Sequence, residues 1–142
     1  IAAAGLPMPD ANQIELHPWS QKPDLLAHMA RHAIAPIAYS SLVPLSTWRT
    51  EPGQDSAKTD DMKADGEAFK GMAQKYGVSE AQLLLRWGVR NGYAVLPKSL
   101  NPDRMAQNLD LFSFSIDAAD MAQMATMDRG EGVAWASGDP SK

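Results

Sequence analysis

The sequence has no cysteine among its 142 residues, which excludes disulfides, thiolate zinc centres and cysteine nucleophiles and permits a reducing compartment without requiring one. It also lacks any apolar run approaching the roughly 20 residues of a membrane span, so no membrane partner is expected. Positive charge is scarce: 13 Lys and Arg face 17 Asp and Glu, a formal net charge of -4. That balance argues against a general nucleic-acid or anionic-lipid surface, and any anion site must be a local cluster of cations. The opening stretch IAAAGLPMPD has neither an initiator Met nor a basic segment; it reads as a helix tail and a loop rather than a signal peptide.

What is present is ordinary globular material, 44% hydrophobic and 21% charged, with 10 Gly and 10 Pro, enough for one domain with a core. NQIELHP (12–18) alternates polar and apolar residues and reads as a strand. KPDLLAHMARHA (22–33) places Leu25, Leu26, Met29 and Ala33 at helical spacing, and APIAYSSL (35–42) is strand-like again, making one strand–helix–strand unit. Residues 43–62 are polar, with Pro44, Pro52 and Gly53, and read as a long loop that includes the solvated pair Asp60 and Asp61. Helices are expected over 64–77, with Phe69, Met72, Ala73 and Tyr76 on one face, and over 79–92, opened by a Ser79/Gln82 capping box and closed by Gly92. YAVLP (93–97) is the third strand, succeeded by a helix from Pro102 to about Leu109. A last helix spans 117–128, capped by Asp117, with Met121, Met124 and Ala125 inward. Strands alternating with helices predict a parallel α/β fold. Three strands cannot close an eight-stranded barrel of about 250 residues, which leaves a small open sheet or part of a barrel.

Ligands of parallel α/β folds bind beyond the carboxyl ends of the strands. The first strand carries Gln13, Glu15 and His17 there, the second ends Tyr39-Ser40-Ser41 and the third ends Lys98-Ser99. Lys98 supplies a compact cation and Ser99 a hydroxyl. The helix starting near Pro102 adds free N–H groups and a positive dipole end, and Arg104 adds a guanidinium able to grip a phosphate at two points. The same residues also suit a well-capped surface helix, so pattern alone leaves a phosphate site and an ordinary helix start both open. His28 and His32 lie four apart, but without the Glu of a metalloprotease motif an exposed helix face is the better reading, and no metal site is expected. His17 reads as hydrogen-bonded structure, Met121, Met124 and Met127 as core, Trp87 as helix–sheet packing, and Trp48 as a candidate pocket residue.

Taken together, NQIELHP, IAYSSL, QLLLRW, VLPKSLNPDRMAQN and DLFSF resemble, in order and spacing from about residue 10 to residue 128, the carboxy-terminal half of an aldo-keto reductase. The resemblance implies a TIM-type (β/α)8 barrel, with these strands as its sixth, seventh and eighth. The whole of 1–142 would then be the C-terminal segment of one such domain. It implies NADPH/NADP+ as cofactor. Gln13 would hydrogen-bond the nicotinamide carboxamide, Tyr39 stack on the nicotinamide, and Ser40 and Leu42 begin the loop that crosses the pyrophosphate. Lys98, Ser99, Asn101 and Arg104 would surround the adenosine 2′-phosphate, with Gln107 and Asn108 at the adenine. Two departures bear on this: Gln107 stands where many members have Glu, and Ser41 and Val43 replace a Pro and a Gly in the loop.

The family's catalytic tetrad (a proton-donating tyrosine with Asp, Lys and His) comes from the first four strands, and no catalytic residue maps onto this chain. The expected activity is therefore that of a longer parent protein: cytoplasmic, monomeric, and reducing small aldehydes or ketones to alcohols. A different reading makes the parent an NADPH-sensing subunit of a larger assembly. A third makes the chain an inactive truncated product, marginal or self-associating because its sheet has two open edges. Substrate choice would depend on loops near Trp48 and Trp135.

Overall fold

A computed structural model describes residues 1–45 and 60–130. Trp48, Trp135 and most of the expected 43–62 loop lie outside the described residues. After a 3-10 turn at Ala2–Ala4 come β1 (Ala11–Glu15), α1 (Pro23–Arg31), β2 (Ala35–Tyr39) and a second 3-10 turn at Val43–Leu45. The chain continues through α2 (Asp60–Tyr76), α3 (Glu80–Arg90), β3 (Ala94–Val95), α4 (Pro102–Leu109) and α5 (Ala118–Ala125).

The strands form a parallel sheet in the order β1-β2-β3. Gln13 pairs with Ile37 and Glu15 with Tyr39; Ile37 and Ala38 then pair with Ala94 and Val95. Parallel neighbours in register point the same way, so the sheet has two distinct faces. On one, Ile14 and Ala38 join Leu16, Met29 and Ile34 in a buried cluster, with Leu25, Leu26, Tyr93 and Val95 packed against it. The other face is thinly covered away from Glu15, which is buried: Gln13 and Ala94 are exposed, and Ile37 and Tyr39 are half-buried. A larger cluster lies among the helices, where Trp19, Phe69, Met72, Leu83, Leu84, Trp87, Ile116 and Met124 meet. Each such side chain contributes about 1.5–3 kcal/mol by leaving water.

Local chemistry sets the element ends. Ser79 Oγ accepts the Gln82 N–H, while Gln82 Oε1 accepts the Ser79 N–H at 3.1 Å, which completes the expected capping box. Gly92, at φ 84, terminates α3 with Gly92 N–H donating to the Val89 carbonyl and Tyr93 N–H to that of Gly88, a Schellman motif. Gly77 closes α2 by the same pattern, through Val78 N–H to the Ala73 carbonyl. Gly88 lets α3 approach β3 closely, because a Cβ there would stand 2.9 Å from Val95 Cγ1.

Several boundaries differ from expectation. α2 begins at Asp60, so Asp60 and Asp61 belong to its first turn and not to a loop. α1 stops at Arg31, and Ala33 is an exposed residue at φ 55 in the helix stop, not part of the buried face. β3 is reduced to Ala94–Val95, since Leu96 and Pro97 leave the ladder. In α5, Met124 is buried but Ala125 is exposed, because only one stripe of so short a helix reaches the core.

A polar clamp joins α2 to α5. Lys75 Nζ lies 2.6 Å from Asp117 Oδ2 and 2.8 Å from Asp120 Oδ2; Tyr76 Oη also bonds Asp120 and accepts the Asp117 N–H. The Lys75 ammonium foremost, and then the Asp120 backbone N–H, hold the Asp117 carboxyl down to about 2. Asp117, then Asp120, raise Lys75 above the ordinary lysine range. Buried Trp19 donates its indole N–H to Asp65 Oδ2 at 2.8 Å, and Arg129 pairs with the same carboxylate.

Candidate functional site

The three strands end on one rim of the sheet, and the site is built from the segments that leave β2 and β3. Beyond β2 the chain reverses at Ser40, held at φ 55. The turn is closed by the Val43 N–H donating to the Ser40 carbonyl at 3.0 Å, and Leu45 N–H to Leu42 continues it as a 3-10 turn. Ser41 is buried, with Oγ 3.4 Å from the Ala38 carbonyl. Ser41 and Val43, in place of Pro and Gly, are thus accommodated in a hydrogen-bonded turn. A left-handed non-glycine residue is costly and tends to persist where surrounding contacts fix it, often at functional sites.

Beyond β3, Leu96, Pro97 and Lys98 leave the ladder and cross the rim without regular structure. Ser99 Oγ accepts the Asn101 N–H at 3.1 Å, and Asn101 Oδ1 accepts the Arg104 N–H at 3.0 Å, so Asn101 is the N-cap of α4 with Pro102 in the first turn. The Asn101 amide oxygen is committed to that cap.

Two adjoining cavities result. One, of about 400 Å³, is lined by Ser40–Val43 and by Leu96, Pro97 and Lys98. The other, of about 460 Å³, is lined by Leu42, Leu45, Ser79–Ala81, Lys98, Ser99, Arg104, Gln107 and Asn108. Leu42 and Lys98 line both, so the two form one extended cleft. Each is in the size range of small-molecule clefts, about 300–1,000 Å³. Among the described residues, the Lys98 ammonium and the Arg104 guanidinium have no hydrogen-bond or ion-pair partner. Two unneutralised cations beside the start of α4 suit a ligand carrying phosphate.

The structure therefore brings together Ser40, Leu42, Lys98, Ser99, Arg104, Gln107 and Asn108 around the cleft. Gln13 and Tyr39 do not line these cavities; they project from the thinly covered face of the sheet, on neighbouring strands and two rows apart in register. Ser79, marked in the sequence only as a helix cap, lines the cleft with Glu80 and Ala81, and nothing local marks the three as site residues because their approach to α4 is made by tertiary packing. His17 is wholly buried: Nε2 lies 2.5 Å from Glu15 Oε1, and Nδ1 accepts the Trp19 N–H at 3.2 Å. This is the structural histidine expected. The described residues hold no group of three or more His, Cys, Asp or Glu suited to a metal, and no helix among them is long and apolar enough to cross a membrane.

A parallel α/β unit with a cation-lined cleft beyond its strand ends has its cleft where ligands bind in such folds. The sequence model of the Aldo/keto reductase family matches residues 2–129, and the chain belongs to that family. Among curated relatives, it is 42% identical over 120 residues to the NAD(P)H-dependent D-xylose reductase xyl1 of Hypocrea jecorina, covering 84% of this chain and 36% of that protein. It is 38% identical over 120 residues to the NAD(P)H-dependent D-xylose reductase of Scheffersomyces stipitis, covering 84% of this chain and 37% of that one. A solved Bombyx mori aldo-keto reductase in complex with NADP superposes with a TM-score of 0.76 at 31% identity, over 96% of this chain and 42% of that chain. The chain thus spans little more than a third of the length of the curated relatives it matches.

Proposed function

We propose that the chain is the cofactor-binding side of an NADPH-dependent aldo-keto reductase, its sheet forming strands six to eight of a (β/α)8 barrel. The observation that carries this reading is the cleft joined at Leu42 and Lys98, with two unpartnered cations along it, Lys98 at the junction and Arg104 in the second cavity. The donor set fits NADPH. Lys98 and Arg104 supply two cations for a 2′-phosphate, Ser99 a hydroxyl, and the capped start of α4 a further positive end. Asn101 would act there chiefly by fixing the α4 start. Asn108 and Gln107 offer amides to an adenine, and the Ser40–Val43 turn underlies the stretch a pyrophosphate would cross. Gln13 and Tyr39, on adjacent strands of the open sheet face, would hold the carboxamide and cover one face of the nicotinamide.

When bound, the cofactor supplies hydride to a carbonyl. This chain's residues bind and orient it, and the proton donor would come from the rest of the parent protein. Relatives named as NAD(P)H-dependent D-xylose reductases support an aldehyde or ketone as substrate. The experiment is to titrate the full-length protein with NADPH and then to follow NADPH oxidation across a panel of aldehydes, sugars and ketones. Binding with turnover is expected. Binding with no turnover on any carbonyl would instead support a sensing role, and no binding would remove the cofactor reading itself.

A further inference from the structure

Glu80 is the first residue of α3, directly after the Ser79 cap, and it lines the same cavity as Lys98 and Arg104. It is the one acid among the described lining residues, which also include the bases Lys98 and Arg104, and Gln107 on α4 is neutral. Among the described residues no hydrogen bond or ion pair occupies its carboxylate, so its charge is left unneutralised at the wall of that cavity.

We infer that Glu80 sets the discrimination between NADPH and NADH, opposing a 2′-phosphate and accepting a hydrogen bond from a 2′-hydroxyl; this rests on the cavity being the adenosine end of the cofactor cleft. A phosphate monoester carries about −1.5 to −2 charges at neutral pH, whereas the hydroxyl is neutral and can donate to a carboxylate. Lys98 and Arg104 alone would favour the phosphate strongly. A carboxylate in the same cavity weakens that field without abolishing it, and so brings the two cofactors closer in affinity.

The test is equilibrium titration of the full-length protein and its Glu80→Gln variant with NADPH and with NADH, at low and at high salt. Glu80→Gln keeps the side-chain shape and leaves the Ser79/Gln82 capping box in place. Any loss of helix-dipole stabilisation acts on both cofactors alike, so their affinity ratio isolates the effect. NADPH should bind about three- to tenfold tighter in the variant at low salt, less so at high salt, with NADH unchanged or weaker. A ratio that stays the same, or that moves towards NADH, overturns the role of Glu80. An unmodified protein that binds neither cofactor overturns the underlying cleft reading, a result distinct from a silent Glu80→Gln.

Discussion

Lys98, on the segment leaving β3, and Arg104, one turn into α4, line the same cavity, and neither cation has a partner among the described residues. An exposed Lys or Arg gains little from a lone surface ion pair, so being unpaired is unremarkable for either residue singly. Two such cations meeting at a capped helix start are different, because their fields add where a ligand can sit.

The clamp between α2 and α5 predicts acid sensitivity. The Asp117 carboxyl is held below its ordinary value near 3.8, to about 2, first by Lys75. A depressed folded-state value means that the stabilisation is fully present above about pH 4 and is lost as pH falls towards 2. Asp117→Asn keeps an effective N-cap for α5 but removes the charge. Urea unfolding of the full-length protein should show the variant less stable above pH 4, with the difference vanishing near pH 2. A difference that does not change with pH would mean the ion pair contributes nothing.

Ala33 predicts a gain in stability. It occupies the left-handed position of a Schellman motif at φ 55, where the Ile34 N–H donates to the Met29 carbonyl at 2.9 Å. Ile34 and Met29 are both buried, which supplies the apolar contact of the motif. Alanine pays a left-handed penalty that glycine avoids, partly offset by the entropy glycine loses on folding. Ala33→Gly should therefore stabilise by about 0.5–1 kcal/mol in chemical denaturation. A loss of stability would show that the position tolerates alanine without strain.

The open sheet predicts the behaviour of the isolated chain. β1 and β3 each pair only with β2 among the described residues, and 52% of Leu96 is exposed where the chain leaves β3. Two free edges and a half-covered sheet favour association. Residues 1–142 alone should self-associate with rising concentration in sedimentation and melt broadly in calorimetry. A monomer with a sharp cooperative transition would contradict this.

Much of this arrangement is legible in the sequence where local chemistry decides it. The Ser79/Gln82 box, Gly92 as a helix stop, Pro102 at the start of α4, and Asp117 as a cap all act within a few residues, and each is found where its pattern predicts. The misses are of another kind. The start of α2 at Asp60 is hidden because the polar run before Ala64 has no apolar period to mark it. Ala33 fits the helical spacing of Leu26 and Met29, yet it stands in the stop, because alanine carries no signal separating the two. The strand at 93–97 shortens because ladder pairing depends on β2, not on local apolar character. In the site, strand-end position and cationic character mark Lys98, Ser99 and Arg104. Glu80 carries no such mark, since its place in their cavity comes from how α3 packs beside α4.

The measurement closest to the central claim is the affinity of the full-length protein for NADPH and for NADH with Arg104→Ala. If Arg104 meets the 2′-phosphate, NADPH should weaken by about 1.5–3 kcal/mol more than NADH, the range of a hydrogen bond to a charged group. Equal weakening of the two cofactors, or none, would place Arg104 away from that phosphate and contradict the assignment of this cleft.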